Sequence, residues 1–212
     1  KDAILQGRFT PGTWLQEEQL TQALGISRTP IREAFNRLKS EGILDVIPRK
    51  GARIVELSPS ETDDLFEVRE VIETHFFLRS AENISKDLVL KFKENLSRRE
   101  ADMRNSEIDS EIWNESRKQY LKTDRALHDA LISAAGNTYW ERLYFNLRDR
   151  IEMYGSRLSL DREWFAVAIQ DHYKIIDAIL DQDFERGKQA MVQHIRNVRQ
   201  GMARIRAAQA PR

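Results

Sequence analysis

The stretch Glu17-Glu18-Gln19-Leu20-Thr21-Gln22-Ala23-Leu24-Gly25-Ile26-Ser27-Arg28-Thr29-Pro30-Ile31-Arg32-Glu33-Ala34-Phe35-Asn36-Arg37-Leu38 decides how the first part of the chain folds. Leu20, Ala23 and Leu24 share one face of a short helix. Gly25 suits the left-handed position that ends it, with Ile26 packing back. Ser27 or Thr29 caps the next helix, and Pro30 falls in its first turn, where a missing N–H costs little. Ile31, Ala34, Phe35 and Leu38 then recur at i, i+3, i+4 and i+7, the period of an amphipathic helix that Gly42 ends. A short helix, a tight turn with glycine and a longer helix make a helix-turn-helix. Its second helix presents its first residues, here Ser27, Arg28, Thr29 and Arg32, to base edges in a DNA major groove. Ordinary solvated helix charges have the same spacing, as Glu33 and Arg37 do at i, i+4. Spacing alone leaves both readings open.

Working outward, the chain starts at Lys1-Asp2-Ala3-Ile4-Leu5, inside what reads as a helix that is cut short, and Pro11-Gly12 breaks it. On the other side, Ile43–Ile47 and Ala52–Val55 read as two strands joined by the tight basic turn Pro48-Arg49-Lys50-Gly51. Arg49 and Lys50 offer two charges, and Gly51 a backbone that something can approach closely, which suits a phosphate or a minor groove. Pro11, Pro30, Pro48 and Pro59 all precede Ser60, and the remaining proline is Pro211. That shift puts a boundary at Leu57-Ser58, with a winged helix-turn-helix over 1–57 and a second domain over 58–212. The second domain reads as helices near 60–82, 86–105, 110–135, 138–158, 162–181 and 183–208. The expected fold is mainly α: a winged helix-turn-helix followed by an all-α bundle of six or seven helices.

Composition sets bounds. Lys plus Arg and Asp plus Glu both number 34 over 212 residues, so any basic surface is local rather than global. The chain has no cysteine, which excludes disulfides and thiolate metal sites and fits a reducing, cytoplasmic setting. No apolar run approaches the ~20 residues that span a bilayer, so no membrane partner is expected.

The helical half holds all four histidines. Asp124 and His128 are four apart and share a helix face with Leu121, Leu131 and Ile132. His172 lies among Phe165, Ile169, Ile176 and Ile179, and His194 among Met191, Ile195, Val198 and Met202. A lone core histidine is usually hydrogen-bonded to a neighbour. Three histidines and an aspartate facing one core from three helices are better explained by a shared divalent cation. Imidazole nitrogen with carboxylate oxygen suits zinc, nickel, copper or iron(II) over calcium or magnesium. His75 reads as structural or as a neighbour of a pocket.

Two resemblances sharpen these expectations. Pro11-Gly12-x-x-Leu15, Leu20-x-x-x-Leu24-Gly25-Ile26-Ser27-Arg28-Thr29-Pro30-Ile31-Arg32-Glu33-Ala34, Leu38-x-x-Glu41-Gly42 and Pro48-Arg49-Lys50-Gly51 closely resemble the DNA-binding domain of the GntR family. The resemblance implies that Ser27, Arg28, Thr29, Arg32 and Gly51 approach DNA. Gln16-Glu17-Glu18 departs from the basic residue that several members carry there. Asp124-x-x-x-His128, Gly136-Asn137, Asp171-His172 and Ala190-Met191-x-x-His194-Ile195 resemble the FCD effector domain of the FadR-type branch, with a helix count closest to its VanR-like subgroup. It implies that Asp124, His128, His172 and His194 hold a metal, zinc or nickel foremost, and that the effector is a small organic acid.

A carboxylate ligating that metal also pairs well with an arginine. Arg69, Arg148 and Asn197 are the candidate ligand-binding residues, with a plain Arg69–Glu73 salt bridge as the competing account of the first. The expected function is a ligand-responsive transcriptional regulator and not an enzyme. It would be a homodimeric repressor that reads an inverted repeat in double-stranded DNA and is released by a small carboxylate at the metal centre. The alternatives are a regulator that senses the metal itself and a metal-dependent hydrolase.

Overall fold

The computed structural model describes residues 1–48 and 50–209. In chain order the first elements are α1 (Asp2–Leu5), β1 (Trp14–Leu15), α2 (Glu17–Leu24), α3 (Arg28–Ser40), β2 (Leu44–Ile47) and β3 (Gly51–Ile54). The three strands form an antiparallel sheet in the order β1-β3-β2, with Leu15 opposite Ala52 and Val46 opposite Ala52 on the other side. β1 is a strand that its sequence does not announce; two residues are too few to show alternation. Arg49, in the turn between β2 and β3, lies outside the described residues.

α3 buries Ile31 and Phe35 against Ile43, Leu44 and Ile54, while Ala34 of the expected stripe faces out. α2 has no fully buried residue. Only Leu20 tucks partly into the core, and Leu24 and Ile26 are 60% and 42% exposed. The expected packing of Ile26 is therefore corrected: α2 meets little besides α3, so it needs only one apolar anchor.

The remainder is helical: α4 (Pro59–His75), α5 (Phe77–Asn83), α6 (Lys86–Arg104), α7 (Glu111–Ala134), α8 (Thr138–Gly155), a 3-10 turn (Leu158–Leu160), α9 (Arg162–Leu180) and α10 (Phe184–Gln209). Ser58 starts α4 with a reciprocal capping box. Its Oγ accepts from the Glu61 N–H at 3.2 Å, and Glu61 Oε2 accepts from the Ser58 N–H at 2.8 Å. Pro59 follows at the first helical position. Asn137 and Asp161 cap α8 and α9 through their side-chain oxygens. The helix expected over 60–82 breaks at Phe76, which gives α4 and α5 where one helix was read. No helix among the described residues is long and apolar enough to cross a membrane.

The core is continuous. Ile4, Phe35 and Ile54 from the first elements belong to the same buried cluster as Trp113, Phe165, Ile175 and Met202 from the helices. α9 and α10 pack along their length, and α7 runs beside α6 and α8. Asp124, His128, His172 and His194 therefore come from three neighbouring helices.

Candidate metal centre and nucleic-acid interface

α7 supplies Asp124 and His128, α9 supplies His172 and α10 supplies His194. One ligand atom from each lies within 4.8 Å of all the others. The three imidazoles are at most 2% exposed. His172 Nε2 stands 3.0 Å from Asp124 Oδ1, close enough for an ion pair but not aligned for a hydrogen bond. His128 Nε2 is 3.9 Å from the same oxygen.

The outward nitrogens are tied down. His172 Nδ1 donates to the Ala168 carbonyl at 2.8 Å. His128 Nδ1 donates to Glu73, whose other oxygen accepts from Arg69 Nε at 2.6 Å. Each of these bonds fixes a tautomer that turns the Nε2 lone pair toward the cluster. Burial would raise the Glu73 carboxyl, but Arg69 and His128 outweigh it and hold it at about 2. Burial also works against an ionised Asp124. The three histidines around it prevail and keep it well below the usual carboxylate range. His194 is pushed well below its ordinary value, first by burial and then by His172 and His128.

Both nitrogens of His194 and Nε2 of His172 are buried with no hydrogen-bond partner. A buried polar atom left unpaired costs about 1–3 kcal/mol. A divalent cation would satisfy these lone pairs and the Asp124 carboxylate together, and three nitrogens with one oxygen is a zinc- or nickel-type donor set. The residues fit a metal.

A cavity of about 60 Å³ opens beside them. It is walled by Tyr120, Tyr144 and Glu152 and, further along, by Ser156, Ser159 and Trp164. Arg69 and Arg148 both line it. Arg69 is at once cavity wall and partner of Glu73, so its two sequence readings are not exclusive. Its Nη2 also lies 3.3 Å from His128 Nε2. Arg148 donates to Asp129 at 2.9 Å and stacks on Phe145. Arg125, on the same wall, binds Glu152 at 2.5 Å and Asp149 at 3.2 Å. Burial dominates at Glu152 even so and pushes it up to about 7.

Asn197 is a correction. Its amide donates to Asp171 at 2.6 Å, and although i+3 from His194 shares that helix face, it does not line the cavity. His75 is exposed and packs on Phe76 and Trp140, away from the cluster. Glu73, Tyr120, Tyr144, Glu152, Ser156 and Ser159 were not identified as site residues from sequence. For Glu73 the signal was present in Arg69-x-x-x-Glu73 on an apolar stripe; the others look like ordinary helix residues until the bundle closes.

In the winged domain, Ser27, Arg28, Thr29 and Arg32 are exposed along the first turns of α3. Ser27 is the N-cap residue, yet its side chain makes no capping bond, which leaves the hydroxyl available. Arg28 forms no ion pair among the described residues. Arg32 Nε donates to Glu17 at 2.9 Å, so the acidic residue at the start of α2 steers that arginine. Lys50 is exposed beside the wing strands. Gly51 has φ +101°, and a Cβ there would sit 2.7 Å from the Leu15 carbonyl oxygen. The close approach that Gly51 permits is thus to β1, inside the sheet.

The chain matches two families: residues 1–54 the one described as "Bacterial regulatory proteins, gntR family" and residues 64–197 the one described as "FCD domain". It is 23% identical over 208 residues to the "HTH-type transcriptional repressor RspR" of Escherichia coli (strain K12), covering 96% of this chain and 85% of that one. It is 26% identical over 185 residues to the "Gluconate operon transcriptional repressor" of Bacillus licheniformis, covering 85% and 72%. Its fold resembles the solved structure of E. coli McbR/YncC, with a TM-score of 0.76 at 19% identity over 99% of this chain and 94% of that one.

Proposed function

Because the chain belongs to the GntR family of bacterial regulatory proteins, with an FCD domain, we propose that it is a homodimeric repressor released by a small organic acid bound at a zinc or nickel centre. Members of this family are transcriptional regulators and not enzymes, which removes the hydrolase alternative. We divide the labour at Leu57-Ser58: residues 1–57 read double-stranded DNA, and residues 58–212 bind metal and effector.

The observation that carries the effector half is the convergence of three buried histidines and Asp124 within 4.8 Å, with unpartnered ring nitrogens, beside a cavity. Asp124, His128, His172 and His194 would hold the metal, which when bound supplies a Lewis-acid centre for a carboxylate. Arg69 and Arg148 add positive charge on the cavity wall. A cavity of about 60 Å³ is room for roughly four or five waters, so the acid is small. On the DNA side, Arg28 and Arg32 suit guanine edges, Ser27 and Thr29 suit bases or phosphates, and Lys50 in the wing suits the backbone.

Two copies would read an inverted repeat, since protein two-fold symmetry maps onto operator symmetry. We assign the second copy to the apolar strip of α4 and α8. There Val68, Val71 and Leu143 are 45%, 56% and 52% exposed beside Trp140 and Leu147.

The test is a titration of DNA binding, on duplexes selected from a random library by the protein itself. Chelated, zinc-loaded and nickel-loaded protein are each compared against a panel of small carboxylates. Release of DNA by one carboxylate, and only from metal-loaded protein, is the expected result. A metal effect on DNA affinity that no carboxylate alters further would make the protein a direct metal sensor, and release by an acid from fully chelated protein would remove the metal from the mechanism.

A further inference from the structure

Arg117 shares its face of α7 with Asp124 and His128, seven and eleven residues further on. It is only 7% exposed, yet it makes no ion pair among the described residues. Its guanidinium is spent on neutral oxygens: Nε donates to Ser159 Oγ at 2.9 Å, and Nη2 donates to the carbonyls of Gln6 at 2.7 Å and Ser156 at 3.4 Å. Burial followed by the charge of Arg8 lowers its affinity for the proton, and the charge of Asp109 offsets this only in part. A buried cation without an ion-pair partner is costly, and a neutral side chain would pack there more cheaply. What the guanidinium provides is a fork: one group reaches two parts of the molecule in fixed directions.

Those two parts are the cavity and α1, which Lys1 ties to Glu41 at the end of the DNA-reading helix α3 at 2.7 Å. Ser156 and Ser159 line the cavity next to the metal cluster. Gln6 is the residue that ends α1. The contact is tight: a Cβ on Gly7 would lie 3.3 Å from Arg117 Nη2 and 3.6 Å from Ser156 Oγ. The last turns of α8 are built the same way. Ile151, Glu152 and Gly155 face the cavity. Asp149 meets Lys1 at 2.5 Å, and the Tyr154 hydroxyl accepts from the Leu57 N–H at 2.5 Å and donates to the Val55 carbonyl at 3.2 Å. The segment 149–159 is cavity wall on one side and the seat of the first elements on the other.

We propose that Arg117 is the positioning residue that couples the cavity to the DNA-reading elements, by gripping the end of α1 with the same guanidinium that braces Ser156 and Ser159. The coupling rests on the metal-loaded regulator proposed above. A change at Asp124 and His128 moves the face of α7 that carries Arg117, and its hold on Gln6 changes with it. By linkage, DNA must alter zinc affinity by the factor with which zinc alters DNA affinity.

The experiment uses the full chain, zinc as the only cavity probe and a duplex selected by the unmodified protein. Arg117→Lys keeps the charge but loses the fork; Ser159→Ala removes one acceptor and leaves every charge in place. Helical melting confirms folding, elemental analysis gives zinc content, and amide exchange at residues 6–8 reads the grip on α1. Zinc is expected to change DNA affinity by about fivefold or more in the unmodified protein. That factor should fall below about twofold in both variants at unchanged zinc content, with faster exchange at residues 6–8. Folded, zinc-loaded variants that keep the full factor overturn the role of Arg117, as does zinc uptake without any effect on DNA in the unmodified protein. If the unmodified protein takes up no zinc, the metal reading itself falls and takes this coupling with it.

Discussion

Arg32 and Glu17 meet at 2.9 Å across the helix-turn-helix, with the Arg32 side chain still 62% exposed. An exposed pair of this kind adds little stability, about 0–1 kcal/mol. Its value is directional, because it limits where the guanidinium points. Arg32→Ala should therefore leave folding nearly unchanged and weaken discrimination at one operator position by ~1–3 kcal/mol. Binding competition among single-base operator variants measures this, and an unaltered preference would show that Arg32 reads no base. Glu152 has the clearest pH signature. Its folded pKa of about 7 exceeds its ordinary value of 4.5, so between those values the folded state binds more protons than the unfolded. Stability should fall as pH rises from 4.5 to about 7, by on the order of 3 kcal/mol, and level off above. Urea unfolding at pH 5 and pH 8 should show that loss, and Glu152→Gln should remove most of it. An equal pH dependence in the variant would assign the effect to other groups.

Among the elements, the wing shows how a short-range signal can be right for a different reason. The turn after β2 was legible from Pro48 and Gly51, but β1 was not, and β1 explains the glycine. Gly51 is left-handed, and a Cβ there would come within 2.7 Å of the Leu15 carbonyl oxygen. Gly51→Ala should lower stability by ~1–3 kcal/mol through backbone strain and displacement of β1. A thermal melt and the protection of the Trp14 and Leu15 amides would report it; an unshifted melting temperature would mean that the edge strand contributes nothing. The break at Phe76 has the same character. Periodicity runs across it without a proline or glycine, and the aromatic contact of Phe76 with Trp140 appears only once α8 lies alongside.

For the whole molecule, the strip of Val68, Val71 and Leu143 is the outward counterpart of the buried Ile72, Ile132 and Tyr144 cluster. If a second copy covers it, Val71→Glu should turn a dimer into a monomer in sedimentation. It should also weaken binding to an inverted repeat far more than to an isolated half-site. A variant that stays dimeric would move the interface elsewhere.

What the sequence determined by itself was what local chemistry can specify. Proline, glycine and capping residues mark the helix boundaries near Ser58, Asn137 and Asp161. The spacing around Gly25 makes the helix-turn-helix, and helical periodicity turns Asp124, His128, His172 and His194 toward the core. Each of these depends on neighbours within a turn or two. The tertiary structure decided which groups share a space. It gave His128 its Glu73 partner, turned Asn197 to Asp171 and set Glu152 and the serines of 156–159 around one cavity. It also placed Arg117 between that cavity and Gln6, 111 residues away in the chain. Contacts of that separation depend on how whole helices pack, and no period along a single helix encodes them.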